Sequence, residues 1–81
     1  MGKYDPLEAH LRALDQARFN VTFETIESII GEALPTSSSI YREWWSNEEN
    51  GTHVQAHAWV QAGWRVEFVD LDGRRVEFVR W

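Results

Sequence analysis

Two stretches, Trp64-Arg65-Val66-Glu67-Phe68-Val69-Asp70 and Arg74-Arg75-Val76-Glu77-Phe78-Val79-Arg80, are near-duplicates separated by Leu71-Asp72-Gly73. Alternating β-branched, aromatic and charged residues on either side of Asp-Gly describe a β-hairpin. Loop length then decides which side chains share a face, because side chains in a strand alternate with a period of two. A two-residue turn at Asp72-Gly73 pairs residues of opposite parity and sets Phe68 beside Glu77. A three-residue loop with Gly73 in the left-handed region pairs like with like, and gathers Trp64, Val66, Phe68, Val76 and Phe78 on one apolar face. The three-residue loop is therefore expected. Arg65, Glu67, Arg75 and Glu77 form the opposite face, with Val69, Val79 and Trp81 either covered or exposed.

An isolated hairpin is marginal in water, so the preceding residues must cover its apolar face. Asp5-Pro6-Leu7-Glu8 starts a first helix: Asp5 caps, Pro6 fits the first helical position, and Glu8 lies three residues after the cap. Leu7, Leu11 and Leu14 give that helix one apolar stripe, with Arg12, Asp15 and Gln16 away from it and His10 beside it. Phe19 to Phe23 reads as a short strand or extended segment, after which Thr22 caps a second helix carrying Phe23, Ile26, Ile29 and Ile30. Gly31 is its left-handed stop. Leu34-Pro35 restarts the chain, and Thr36 to Ser39 offer caps for a third helix through Ile40-Tyr41-Arg42-Glu43-Trp44-Trp45-Ser46-Asn47. On that helix Ile40 and Trp44 pair inward, and Trp45, turned by about 100°, lies on a flank or a contact surface.

Residues 46 to 52 are polar and turn-rich, a loop within the domain. His53 to Ala62 supports two readings. Val54, Ala56, Ala58 and Val60 alternate with polar or aromatic neighbours as in a strand, yet Ala and Gln favour helix, and Thr52 and Gly63 stand where a cap and a stop belong. Helix is narrowly favoured. The expected fold over residues 1–81 is therefore a single α+β domain: three or four short helices packed on a C-terminal antiparallel hairpin, in a winged-helix-like order of elements.

Eleven aromatics, five of them Trp, supply a large apolar payload to a chain of 81 residues. Trp44, Trp59 and Trp64 are assigned to the core, while Trp45 and Trp81 are expected partly exposed, paired with Arg65 or Arg80 or forming a homodimer surface. The absence of cysteine excludes disulfides and thiolate metal sites and agrees with a cytoplasmic setting. No apolar run approaches the ~20 residues that span a bilayer, and Met-Gly-Lys-Tyr-Asp-Pro is not a signal peptide, so no membrane association is expected.

The segments Tyr4-Asp5-Pro6-Leu7, Phe23 with Ile26-Glu27 and Gly31, Leu34-Pro35, Tyr41-Arg42 with Trp44-Trp45 and Asn47, and Ala58-Trp59 with Ala62-Gly63-Trp64 give the chain a wider likeness. It resembles an uncharacterised family of small bacterial and phage proteins. The resemblance covers nearly the whole sequence, and implies no activity, cofactor or catalytic residue.

The net charge of −5 is unevenly placed: residues 1–62 carry four Lys/Arg against nine Asp/Glu, and residues 63–81 four Arg against four. Any nucleic-acid contact must therefore be local. The leading expectation is a winged-helix-like nucleic-acid binder. Ser37, Ser38, Arg42 and Asn47 would reach phosphates or bases from the third helix, Trp45 would stack on an unpaired base, and Arg74 and Arg75 would touch the backbone from the hairpin tip. The rival is a protein-interaction module, an inhibitor or accessory subunit, using exposed Trp and Arg against a protein partner. His53 and His57 share a face if helical, but a pair at that spacing without a third ligand is a weak metal signal, and no metal or other cofactor is expected. No pair of carboxylates is framed for acid–base work, so the domain is expected not to be an enzyme.

Overall fold

A computed structural model of the protein describes residues 2–48 and 54–81. The chain runs α1 (Asp5–Ala13), β1 (Arg18–Thr22), α2 (Phe23–Ile30), two single 3-10 turns (Thr36–Ser39 and Arg42–Trp45), α3 (Val54–Gln61), β2 (Trp64–Asp70) and β3 (Arg75–Arg80). The three strands form one antiparallel sheet in the order β1-β3-β2, so β1 joins the hairpin and makes β3 the central strand. The α+β class holds, and the 54–61 segment is helical.

Local signals explain most boundaries. Thr22 caps α2, its hydroxyl oxygen accepting from Thr25 N–H at 3.1 Å, and Gly31 ends the helix at φ +80°. The cap of α1 lies one residue earlier than expected: Tyr4 occupies it without a side-chain bond, and Asp5 turns back to accept from Gly2 N–H at 2.8 Å.

The expected third helix is absent. The serine run satisfies itself locally, Ser38 Oγ donating to Pro35 O at 2.7 Å, and Tyr41 is extended, so the chain breaks into two separate turns. Ile40 is 56% exposed, not paired inward with Trp44. Both tryptophans are buried instead, because the second turn is wedged between layers. Trp44 meets Tyr4 edge-on at 6.0 Å, and Trp45, only 2% exposed, stacks on Phe23 at 4.8 Å and on Trp59 at 5.9 Å. Trp59 continues the series to Phe78, and Phe78 to Phe19, which carries aromatic contact from α2 across the domain to the sheet.

The hairpin corrects the expected loop and face. Asp70 pairs with Arg75, leaving a four-residue loop, and the left-handed residue is Arg74 at φ +54°, not Gly73. Near the loop, residues of opposite parity pair, and Phe68 stands opposite Glu77. A bulge between Val66 and Phe68 inserts one residue and restores like-with-like pairing from Val66 to Trp64. One strand thereby sends both Trp64 and Val69 inward while Phe68, assigned above to the core, is 59% exposed on the other face.

The helices cover one face of the sheet, with Val21, Trp64, Val69, Val76 and Phe78 buried beneath them. The opposite face carries, by register, Arg18, Asn20 and Thr22 of β1, Arg75, Glu77 and Val79 of β3, and Arg65, Phe68 and Asp70 of β2. No helix of the described residues is long and apolar enough to cross a membrane.

Candidate functional site

A groove of about 570 Å3 runs between the second 3-10 turn and the outer edge of β2, lined by Arg42, Glu43, Trp45, Ser46 and residues 66–69. It exists because β2 has a strand neighbour on one side only. The exposed backbone of an edge strand invites pairing with another chain. Here two side chains from across the groove occupy it.

Asn47 supplies the first. Its Oδ1 accepts from Val66 N–H at 2.7 Å, and its Nδ2 donates to Val66 O at 3.1 Å, so one carboxamide makes the pair of bonds a neighbouring strand would make. The same Oδ1 also accepts from Trp59 Nε1 at 3.0 Å. Arg42 supplies the second, donating from Nη1 to Val69 O at 2.5 Å. The bulge lies between these two attachments. Behind them Gln55 of α3 donates to Trp44 O at 2.7 Å, and Trp45 Nε1 donates to Ser38 O at 2.9 Å.

These bonds redefine the residues singled out from sequence. Arg42, Trp45 and Asn47 do meet at one place, but each is engaged inside the domain, and Trp45 presents only an edge to the groove. Ser38 is 1% exposed and structural, and Ser37 is half-buried with its carbonyl accepting from Ile40 and Tyr41 N–H. Arg74 is not a free tip residue: its Nε donates to Glu24 at 2.7 Å, its Nη1 to Ser39 Oγ at 2.7 Å, and its guanidinium lies 5.3 Å over the Phe23 ring. Arg42, Asn47 and Arg75 are exposed, and of the seven Arg75 alone lies on the outer sheet face. His57 is exposed on α3, and its expected partner His53 lies outside the described residues. Among the described residues, no three His, Cys, Asp or Glu side chains are grouped to hold a metal ion.

The outer sheet face next to the groove carries Arg65, Arg75 and Glu77, as expected, and adds Phe68. Phe68 borders both surfaces. Trp81 is 72% exposed, and the Arg65 guanidinium lies 4.7 Å from its ring, as the expected pairing with Arg65 has it. Arg18 and Glu77 form a 3.4 Å ion pair on this face. Arg80 turns the other way, over the Trp64 ring at 4.6 Å, and donates to the carbonyls of Leu14 and Gln16. The sequence signal that could have found Phe68 is the hairpin's own parity conflict, since only a bulge reconciles an even loop with buried Trp64 and Phe78.

The family described as Domain of unknown function (DUF7662) matches residues 4–81. The chain belongs to that family. No curated protein and no solved structure matches it. The family match takes in the second 3-10 turn, α3 and the whole sheet, and with them every residue of the Asn47 junction.

Two groups depart from their ordinary titration. Burial, with the nearby Glu32 charge, raises the Tyr4 pKa. The Arg74 hydrogen bond, aided by Glu24's own backbone, lowers that of the exposed Glu24 carboxyl. A carboxyl depressed in the folded state contributes stability above the ordinary carboxylate range and loses it as pH falls through the folded value. Glu24→Gln should therefore flatten part of the acid limb of a stability–pH profile measured by urea unfolding, and leave the neutral-to-alkaline limb parallel to wild type. Asn47→Ala should lower stability by about 1–3 kcal/mol in the same assay, because it strips partners from the Trp59 and Val66 N–H groups at once.

Proposed function

We propose that the domain is a small non-enzymatic module that binds nucleic acid, built on a winged-helix-like order of elements. The observation that carries this reading is where the guanidinium groups sit. Six of the eight Lys/Arg of an acidic chain, Arg18, Arg42, Arg65, Arg74, Arg75 and Arg80, lie on the sheet, in its hairpin loop or against its β2 edge. Arg42 and Arg80 are held by carbonyl oxygens and not by carboxylates, so these bonds leave their charge uncancelled. Among the described residues the helices and their connections carry eight Asp/Glu, Glu24 and Glu43 included, against Lys3 and Arg12, while the sheet and its loop set four, Glu67, Asp70, Asp72 and Glu77, against those six arginines. One side attracts phosphate and the other repels it, which would orient the domain on a polyanion.

In a winged-helix binder the helix before the hairpin commonly enters a groove. Here α3 holds no Lys or Arg between Val54 and Gln61, so the contacts in this reading fall to the sheet side. A cytoplasmic, bacterial or phage setting goes with it, since nucleic acid is accessible there and a cysteine-free chain suits a reducing compartment. A protein partner is the second reading, favoured by the exposed side chains Ile40, Tyr41 and Phe68, which lie next to Arg42 in the chain or share the groove with it.

A titration against labelled duplex DNA, single-stranded DNA and RNA across a salt series tests this. Binding that weakens steeply with salt, and weakens further in Arg65→Glu/Arg75→Glu with the fold intact, is the expected result. No binding at low salt by the folded protein would overturn the nucleic-acid reading and leave the protein partner.

A further inference from the structure

The helix-free face of the sheet has a composition that neither the groove nor the hairpin loop accounts for. Reading across the strands by register, one row holds Arg18, Val79 and Arg65, and the next toward the loop holds Asn20, Glu77 and Phe68. Trp81 follows Val79 on the same face and lies against Arg65. Both aromatic rings are mostly exposed, Trp81 at 72% and Phe68 at 59%, in a domain that buries its other four tryptophans. The Arg65 guanidinium lies over the Trp81 ring at 4.7 Å, and the indole remains 72% exposed, with surface for another planar group. Among the described residues the Arg75 side chain is exposed and outside any ion pair, and Arg18 meets Glu77 only at 3.4 Å.

Building on the nucleic-acid reading, we propose that this face is a platform for single-stranded nucleic acid, with Trp81 and Phe68 each stacking on a base and Arg65, Arg75 and Arg18 meeting the phosphates. Charge selects the polyanion. The three arginines on the face outnumber Glu77 and Asp70, whereas the helical side is acidic. Spacing selects the strandedness. Phe68 stands opposite Glu77, four residues before Trp81, which places their backbone positions about 13 Å apart along the strand direction. A stacked strand steps only about 3.4 Å per base, and its bases are turned into the helix, so two separated rings can each take a base only from an unpaired, extended strand. The platform reads π faces and not base edges, so it should be tolerant of sequence. The bulge sets Phe68 outward for this role.

The test uses the whole chain with ten-nucleotide oligothymidine and oligouridine, and a hairpin duplex of matched charge, in a fluorescence anisotropy titration at several salt concentrations. The single strands should bind more tightly than the duplex. Trp81→Ala and Phe68→Ala, both exposed and so expected to fold, should each weaken the single strand by about tenfold or more, the size of one lost base stack. Arg65→Ala/Arg75→Ala should reduce the salt slope by about 1 to 2, as loss of roughly two phosphate contacts requires. Arg12→Ala, on the far side in α1, should bind as wild type. If the duplex binds as well as the single strands, or if both aromatic variants bind as wild type, nucleic-acid binding stands and this platform is overturned. If neither probe binds to protein shown to be folded by its thermal transition, both readings fall together.

Discussion

One carboxamide ties together parts of the chain that nothing local would bring into register. Asn47 bonds α3 through Trp59 Nε1 and the edge of the sheet through both polar groups of Val66. It does so from the first residues after the second 3-10 turn, whose two tryptophans fill the space between α2, α3 and the N-terminal Tyr4. With that amide in place the turn, the helix and the strand have one mutual arrangement. Buried tryptophans raise the stakes, because each indole N–H taken from water needs an acceptor. Trp45, Trp59 and Trp64 find theirs in Ser38 O, Asn47 Oδ1 and Leu11 O, and no buried side-chain polar atom among the described residues lacks a partner.

The same junction shapes the surface. An edge strand closed by Asn47 at Val66 and by Arg42 at Val69 is poorly available for pairing with another chain, while the bulge between those points turns Phe68 outward. In the proposed reading, binding falls to the open face, where Arg65 and Trp81 stand. Ion pairs run both within the helices, as Glu8 with Arg12, and between helix and hairpin, as Glu24 with Arg74.

What could be read from the sequence is what local chemistry decides. Thr22 and Gly31 bound α2 by a cap and a left-handed residue, each requiring only near neighbours, and the duplicated strands announce the hairpin. The helix over 54–61 was within reach because Ala and Gln outweigh an alternation that period alone could not settle. Trp45 departs from helical periodicity because its segment is not an α-helix, and a single wedged turn can bury side chains on both flanks. Asn47 and Arg42 looked like ligand-binding residues because their partners lie 19 and 27 positions away. Arg74 was misread for the same reason, its carboxylate partner being 50 residues distant. Phe68 turns outward through a bulge, of which the sequence carries only an indirect sign, the parity conflict between an even loop and buried Trp64 and Phe78.

The account stands most directly on the Val66 amide. As the outward N–H of an edge strand it would ordinarily exchange quickly with solvent, and residue-resolved hydrogen exchange of wild type and Asn47→Ala would show whether the carboxamide holds it. Protection of Val66 comparable to the amides of the central strand β3, lost selectively in the variant while β3 stays protected, is the result expected. A Val66 amide that exchanges freely in wild type, or that is equally protected in the variant, would contradict the role given to Asn47.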